Sequence, residues 1–147
     1  MKYLRRLTLT LALLLSVVAV YAGGIKDAKE LQAFVTAINK GVDYSAFKNE
    51  KGEVCLEADI DMAKVKKLPA IKSFGGTFDG QGYTISNLQI DKENLTAQGF
   101  FSTLSGGAVV RNLTIGSGRV VCYDSGGGIV GLLMQSRVLN CTNKADV

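Results

Sequence analysis

The chain has 147 residues, a formal charge of +4 at neutral pH, three cysteines and no histidine. That length holds one domain. The lack of histidine and of any Cys-x-x-Cys spacing argues against zinc, haem and Cys–His nucleophilic catalysis.

Residues 1–22 open with Lys2, Arg5 and Arg6, continue with the apolar run Leu7 to Val20, and end on Val20-Tyr21-Ala22. This is the pattern of a secretory signal peptide, too short and wrongly flanked for a stable membrane span after cleavage. An uncleaved anchor is the alternative. Without Lys2, Arg5 and Arg6 the charge falls from +4 to +1. A near-neutral remainder has no global field for nucleic acid or anionic lipid, so neither is expected as a partner. The basic run Lys64, Lys66, Lys67 and Lys72 reads as a solvated loop face.

After the flexible Gly23-Gly24, Asp27 and Glu30 have capping-box spacing. Leu31, Phe34, Val35 and Ile38 then form one apolar stripe, and Gly41 suits the residue just past a helix. The expected amphipathic helix needs a surface to dock on. Gly41 to Gly52 reads as a loop with a short turn at Tyr44–Phe47. A first strand is expected over Glu53–Met62, and Ala63–Ser73 reads as a connector containing Pro69.

The distinctive stretch is Phe74-Gly-Gly-Thr-Phe-Asp-Gly-Gln-Gly-Tyr-Thr-Ile-Ser-Asn-Leu-Gln-Ile90. Asp79, Gly80 and Gly82 mark turns, the glycines because they take positive φ at no steric cost and Asp79 because it bonds its own backbone. Beyond it, Asp91–Gln98 reads as polar loop and Gly99-Phe100-Phe101 begins a strand. Further strands are expected at Ala108–Ile115, Arg119–Tyr123, Ile129–Leu133 and Ser136–Cys141. Asp124–Gly128 reads as a turn.

One pattern returns: aliphatic-x-Asn-apolar. It occurs at Ile85, Asn87 and Leu88, at Val110, Asn112 and Leu113, and at Val138, Asn140 and Cys141. The asparagines are 25 and then 28 residues apart. Such periods with strand–turn alternation indicate a solenoid. Gly-rich turns rather than helices follow each strand, which favours a mainly β, parallel β-helix. Its aliphatics are expected to stack in columns Ile85–Val110–Val138 and Leu88–Leu113–Cys141. The asparagines are expected to form a side-chain ladder or to hold bends. Asn94, Asn112 and Asn140 also head Asn-x-Thr glycosylation patterns, the weaker reading. On the stacking scheme Ile85→Ala or Val110→Ala should cost several kcal/mol, roughly 2–5 for the isoleucine and less for the valine. Ser86→Ala or Arg111→Ala should cost little.

Cys55, Cys122 and Cys141 are an odd number in an exported chain, so at least one thiol stays unpaired. Cys141, in a repeat position, reads as a small buried hydrophobe, with a Cys122–Cys141 bridge left open. The expected layout is a signal peptide over 1–22, a capping helix and loop over 23–52, and β-helix repeats over 53–147 with an uncapped C-terminal end. That end suggests either a truncated piece of a longer repeat protein or end-to-end stacking on another molecule.

Glu30-Leu31…Gly41, Leu56–Asp61, the Phe74–Leu88 block and Gly127-Gly-Ile-Val-Gly131…Asn140-Cys141 together resemble the GLUG-repeat proteins. These are exported, surface-associated bacterial proteins with right-handed β-helix repeats, some beside immunoglobulin-A-cleaving metallopeptidases. The resemblance implies a right-handed β-helix with an N-terminal capping helix and a place at the cell surface or outside the cell. More loosely it implies adhesion or contact with an extracellular glycan or surface protein. It brings no catalytic residues, and no His-Glu metal motif is present to carry the peptidase chemistry.

The expected function is therefore a non-catalytic secreted or cell-surface module, adhesive or scaffolding, with no cofactor or metal. The alternative is a carbohydrate-active enzyme fragment using Asp59, Asp61 and Asp79, since such chemistry needs paired carboxylates or a base with a cation. Tyr44, Phe47 and Tyr123 are candidates for stacking on sugars.

Overall fold

The structure is a computed structural model that describes residues 23–147; the signal-peptide reading lies outside them. Over that range the chain is mainly β, with parallel sheets and one α-helix. No helix of the described residues is long and apolar enough to cross a membrane.

Helix α1 spans Ala28–Lys40. Asp27, in extended backbone, accepts from the Glu30 N–H at 2.8 Å. Glu30 reaches back as expected, but accepts from the Lys26 N–H at 2.8 Å. Gly41, at φ 67°, ends the helix in the left-handed region and donates to Ile38 O. Leu31, Phe34 and Val35 are fully buried, while Ile38 is partly so. The Phe34 ring meets Phe78 at 6.2 Å, and the edges of Tyr44 and Phe47 at 5.8 and 5.7 Å. At the far end of α1, Asn39 donates to Ala70 O and accepts from the Lys72 N–H, both at 2.9 Å. The stripe therefore docks on the strands, and Asn39 fastens the helix to the connector.

Twelve short strands follow: β1 (Val54–Cys55), β2 (Ile60–Asp61), β3 (Thr77–Asp79), β4 (Thr84–Ser86), β5 (Leu88–Gln98), β6 (Phe101–Leu104), β7 (Val109–Arg111), β8 (Thr114–Ile115), β9 (Gly118–Gly126), β10 (Val130–Leu133), β11 (Arg137–Leu139) and β12 (Thr142–Asn143). Every pair of named strands is parallel. The sheets run β1-β3-β7-β11, β2-β4-β8-β12, β5-β9 and β6-β10, so the chain visits the same sheets in the same order on successive passes. Single bridges extend the scheme: Ile71 and Phe74 lie beside Phe101 and Leu104, and Asp146 lies beside Arg119.

The register corrects the expected columns. Val138 does lie beside Val110, but the residue on the other side of Val110 is Phe78, not Ile85. Ile85 lies between Ile60 and Ile115. Leu88 lies beside Gly118, whereas Leu113 keeps Cys141 as its neighbour through the bond from Thr142 N to Leu113 O. The cause is that aliphatic-x-Asn-apolar describes a bend between two strands, and each pass has more than one bend. Asn87 follows β4, while Asn112 and Asn140 follow β7 and β11. All three hold φ between 50 and 57°, a conformation that asparagine tolerates better than most residues.

Four boundaries also differ. Glu53–Met62 and Ala108–Ile115 each split into two short strands, the second at the left-handed Asn112. Asp91–Gln98 and Asp124–Gly126, expected as loop and turn, are the outer parts of β5 and β9. There the backbones pair with each other in spite of polar side chains, because neighbouring passes make the same excursion. Gly80 is not a positive-φ residue; a Cβ there would collide with the Asn112 backbone, so close approach requires it. Gly82, at φ 81°, does use the freedom expected of it.

The core is a run of aliphatics and phenylalanines from α1 to β10, with Phe34, Phe74, Phe78, Phe100 and Phe101 fully buried or nearly so.

Candidate functional site

Two polar corners and one exposed ridge gather the side chains capable of chemistry. At the first corner, Asp79 ends β3 and its Oδ1 accepts from the Gln81 N–H at 2.8 Å, the turn bond expected of it. Arg111, beside it on β7, donates from Nε to Asp79 Oδ2 at 2.9 Å and from Nη2 to Glu53 Oε2 at 2.8 Å. Asn112 donates to Asp79 Oδ1 at 3.2 Å, and Asn140 donates to Asn112 Oδ1 at 2.8 Å. The result is a continuous ladder from Glu53 to Asn140. The expectation that Arg111→Ala is harmless does not hold, because Arg111 joins two half-buried carboxylates. Its loss should cost on the order of 1 kcal/mol, discounted for partial solvent screening.

At the second corner, Asp61 Oδ1 accepts from the Ala63 N–H at 2.9 Å and from Asn87 Nδ2 at 2.8 Å. The Asn87 N–H donates to Ser117 Oγ at 2.9 Å. Asp59 Oδ1 accepts from the Thr84 N–H at 2.9 Å. Asp61, beside Ser86 in register, thus carries the bond from Asn87, and Asp59 holds the Thr84 backbone. All three carboxylates considered for catalysis are engaged in holding backbone or neighbouring side chains.

Burial pushes the Asp79 carboxyl upward, but the Gln81 N–H, Asn112 and Arg111 together hold it below the usual range. Asn87 and the Ala63 N–H do the same for Asp61. A lowered carboxylate stabilises the fold above its unfolded value, and that contribution disappears as pH falls through the folded one. Thermal unfolding should therefore be level above about pH 5 and fall steeply below about pH 4. Asp79→Asn should flatten part of that fall. A melting temperature unchanged down to about pH 2 would contradict the ladder.

The ridge is the outer part of β5 and β9. Their register shifts between Lys92 and Thr96, bulging Glu93, Asn94 and Leu95 outward opposite Tyr123. Tyr123 is 78% exposed and Leu95 46%. Tyr44 and Phe47, in contrast, pack edge-on against Phe34. Tyr123 is thus the one of the three candidate aromatics free to meet a ligand. Sequence reasoning missed the ridge by reading its first strand as loop. The alternation of Leu88 and Ile90, which both turn inward, was the available signal.

The connector lysines are exposed as expected, and Lys67 pairs with Asp91 at 3.0 Å. Cys55, Cys122 and Cys141 are free thiols. Cys55 is buried and Cys141 half-buried, and desolvation raises both thiols. Among the described residues no group of His, Cys, Asp and Glu is arranged to hold a metal ion.

The chain matches no described protein family and no solved structure. A stretch of 60 residues is 42% identical to part of Halomucin from Haloquadratum walsbyi, covering 40% of this chain and 1% of that protein. The chain thus spans about one hundredth of the length of this relative.

Proposed function

We propose that the chain is a non-catalytic, secreted or cell-surface module of the GLUG-repeat kind. Its parallel passes form a right-handed β-helix under an N-terminal helical cap, and the module contacts extracellular glycan while serving as part of a surface scaffold. The observation that carries the glycan reading is Tyr123. Matching excursions of neighbouring passes lie on one face of a repeat protein, which is often its binding face, and the exposed Tyr123 ring offers an apolar face with a polar tip. The signal-peptide pattern and the partial likeness to a protein named as a mucin support an extracellular place. The rival reading, a carbohydrate-active enzyme, has less to draw on, because Asp59, Asp61 and Asp79 are committed to hydrogen bonds within the fold.

A glycan array probed with the purified protein tests this. Binding to at least one extracellular polysaccharide is expected, and Tyr123→Ala should weaken it at least fivefold while leaving the melting temperature in place. No binding above background would reduce the role to a spacer. Release of reducing sugar, lost in an Asp59→Ala, Asp61→Ala double variant, would reinstate the enzyme.

A further inference from the structure

We propose that Asn94 is an N-glycosylation acceptor: of the Asn-x-Thr patterns at Asn94, Asn112 and Asn140, the fold leaves this one alone free to react. The proposal rests on the extracellular part of the proposed function and is independent of its glycan-binding part.

The chemistry sets the requirement. The transfer joins an asparagine Nδ2 to the anomeric carbon of a lipid-diphosphate-linked oligosaccharide. The N–C bond forms as the C–O bond to the diphosphate breaks. The lipid diphosphate leaves with the bonding pair, and Nδ2 gives up one proton to a carboxylate of the transferase. The acceptor must therefore present an unengaged Nδ2, a free threonine hydroxyl two residues on, and backbone that can lift into another protein's active site.

Asn112 fails each part. Its Nδ2 donates to Asp79 Oδ1, and its Oδ1 accepts from Asn140. Leu113 is fully buried, and Thr114 in β8 is paired on both sides, with Thr84 and with Thr142. Drawing this segment out would break the ladder and bring a core leucine into water. Asn140 fails on the reacting atom, because its Nδ2 donates to Asn112 Oδ1 at 2.8 Å, and its φ of 50° fixes it in a bend.

Asn94 meets all three conditions. Asn94, Leu95 and Thr96 are exposed in succession. Among the described residues nothing bonds the Asn94 amide or the Thr96 hydroxyl; Thr96 is held through its carbonyl, which accepts from Gln98 Nε2 at 3.0 Å. The register jumps from Lys92 beside Cys122 to Thr96 beside Asp124, so Glu93, Asn94 and Leu95 have no partner in the ladder. Such a bulge is where a strand opens locally without undoing its neighbours. Leu95, the middle residue of the pattern, is 46% exposed and anchors nothing in the core. An attached glycan would cover Leu95 and the unpaired backbone of the bulge, which otherwise offers a template for strand pairing.

The test incubates the folded, intact protein with a lipid-diphosphate-linked oligosaccharide and a single-subunit oligosaccharyltransferase that requires only Asn-x-Thr. Modified positions are read by peptide mass spectrometry. Synthetic peptides spanning residues 90–98, 108–116 and 136–144 give the reactivity of each site without the fold. Relative to its own peptide, Asn94 in the folded protein should be modified at least tenfold more readily than Asn112 or Asn140. Asn94→Gln and Thr96→Ala should each abolish that modification and Thr96→Ser should keep it, all three with an unchanged melting temperature. The Tyr123→Ala protein should be modified at Asn94 like the parent, which separates this proposal from the glycan-binding reading. Equal modification of the three sites, preference for Asn112 or Asn140, or an Asn94 left bare in the protein or in the 90–98 peptide would overturn it.

Discussion

Phe78→Ala should destabilise the protein by about 3–5 kcal/mol, the range for removing a large aromatic from a core. Phe78 is fully buried, and its ring lies 5.4 to 6.5 Å from those of Phe34, Phe74, Phe100 and Phe101. It belongs to β3, yet it touches α1 on one side and Phe100 and Phe101, at the start of β6, on another. The cavity left by its removal would lie between the helix and the strands it covers. A loss of that size is a large part of the roughly 5–15 kcal/mol that holds a domain folded. Urea unfolding followed by near-ultraviolet circular dichroism should show an early transition or none. Phe47→Ala, at the partly open margin of the same cluster, should cost clearly less. A Phe78→Ala loss below about 1 kcal/mol would mean that α1 does not dock where described.

Gly118→Ala should be comparably severe for a different reason. Gly118 holds φ at 133°, a conformation that L side chains rarely adopt, and a Cβ there would meet Leu88 N and C at 2.6 and 2.8 Å. Strain costs about 1–3 kcal/mol and the clash with rigid backbone a further 1–3 kcal/mol. Gly41→Ala is the matched control: φ is 67° but nothing lies within 4 Å of the added carbon. It should cost only about 1 kcal/mol, the conformational part alone. Equal melting temperatures for the two variants would contradict the close approach of β9 to β5.

Much of this architecture is legible in the residues. The helix follows from Asp27, the stripe Leu31–Ile38 and Gly41, because caps and periodicity are local signals. The parallel repetition follows from periods in the twenties between similar units. The register does not, because the pattern around Asn87 and Asn112 reports the chemistry of a bend and not its place in the pass. Phe78 stands over Val110, and nothing in their surroundings matches in sequence; only the sheet brings them together. The ridge was hidden for a related reason. Asp91, Lys92 and Glu93 read as loop, yet their backbone is paired with β9 or bulged from it, and polarity says nothing about such pairing. Arg111 was legible as an outward residue, but its role depends on Glu53, distant in the chain.

The most direct test of the parallel passes and their register is NMR detection of couplings across individual hydrogen bonds. The fold described predicts cross-peaks joining the Gly116 amide to the Ile85 carbonyl and the Gly80 amide to the Arg111 carbonyl. A coupling between Ile85 and the amides of β7, or none between passes at all, would contradict it.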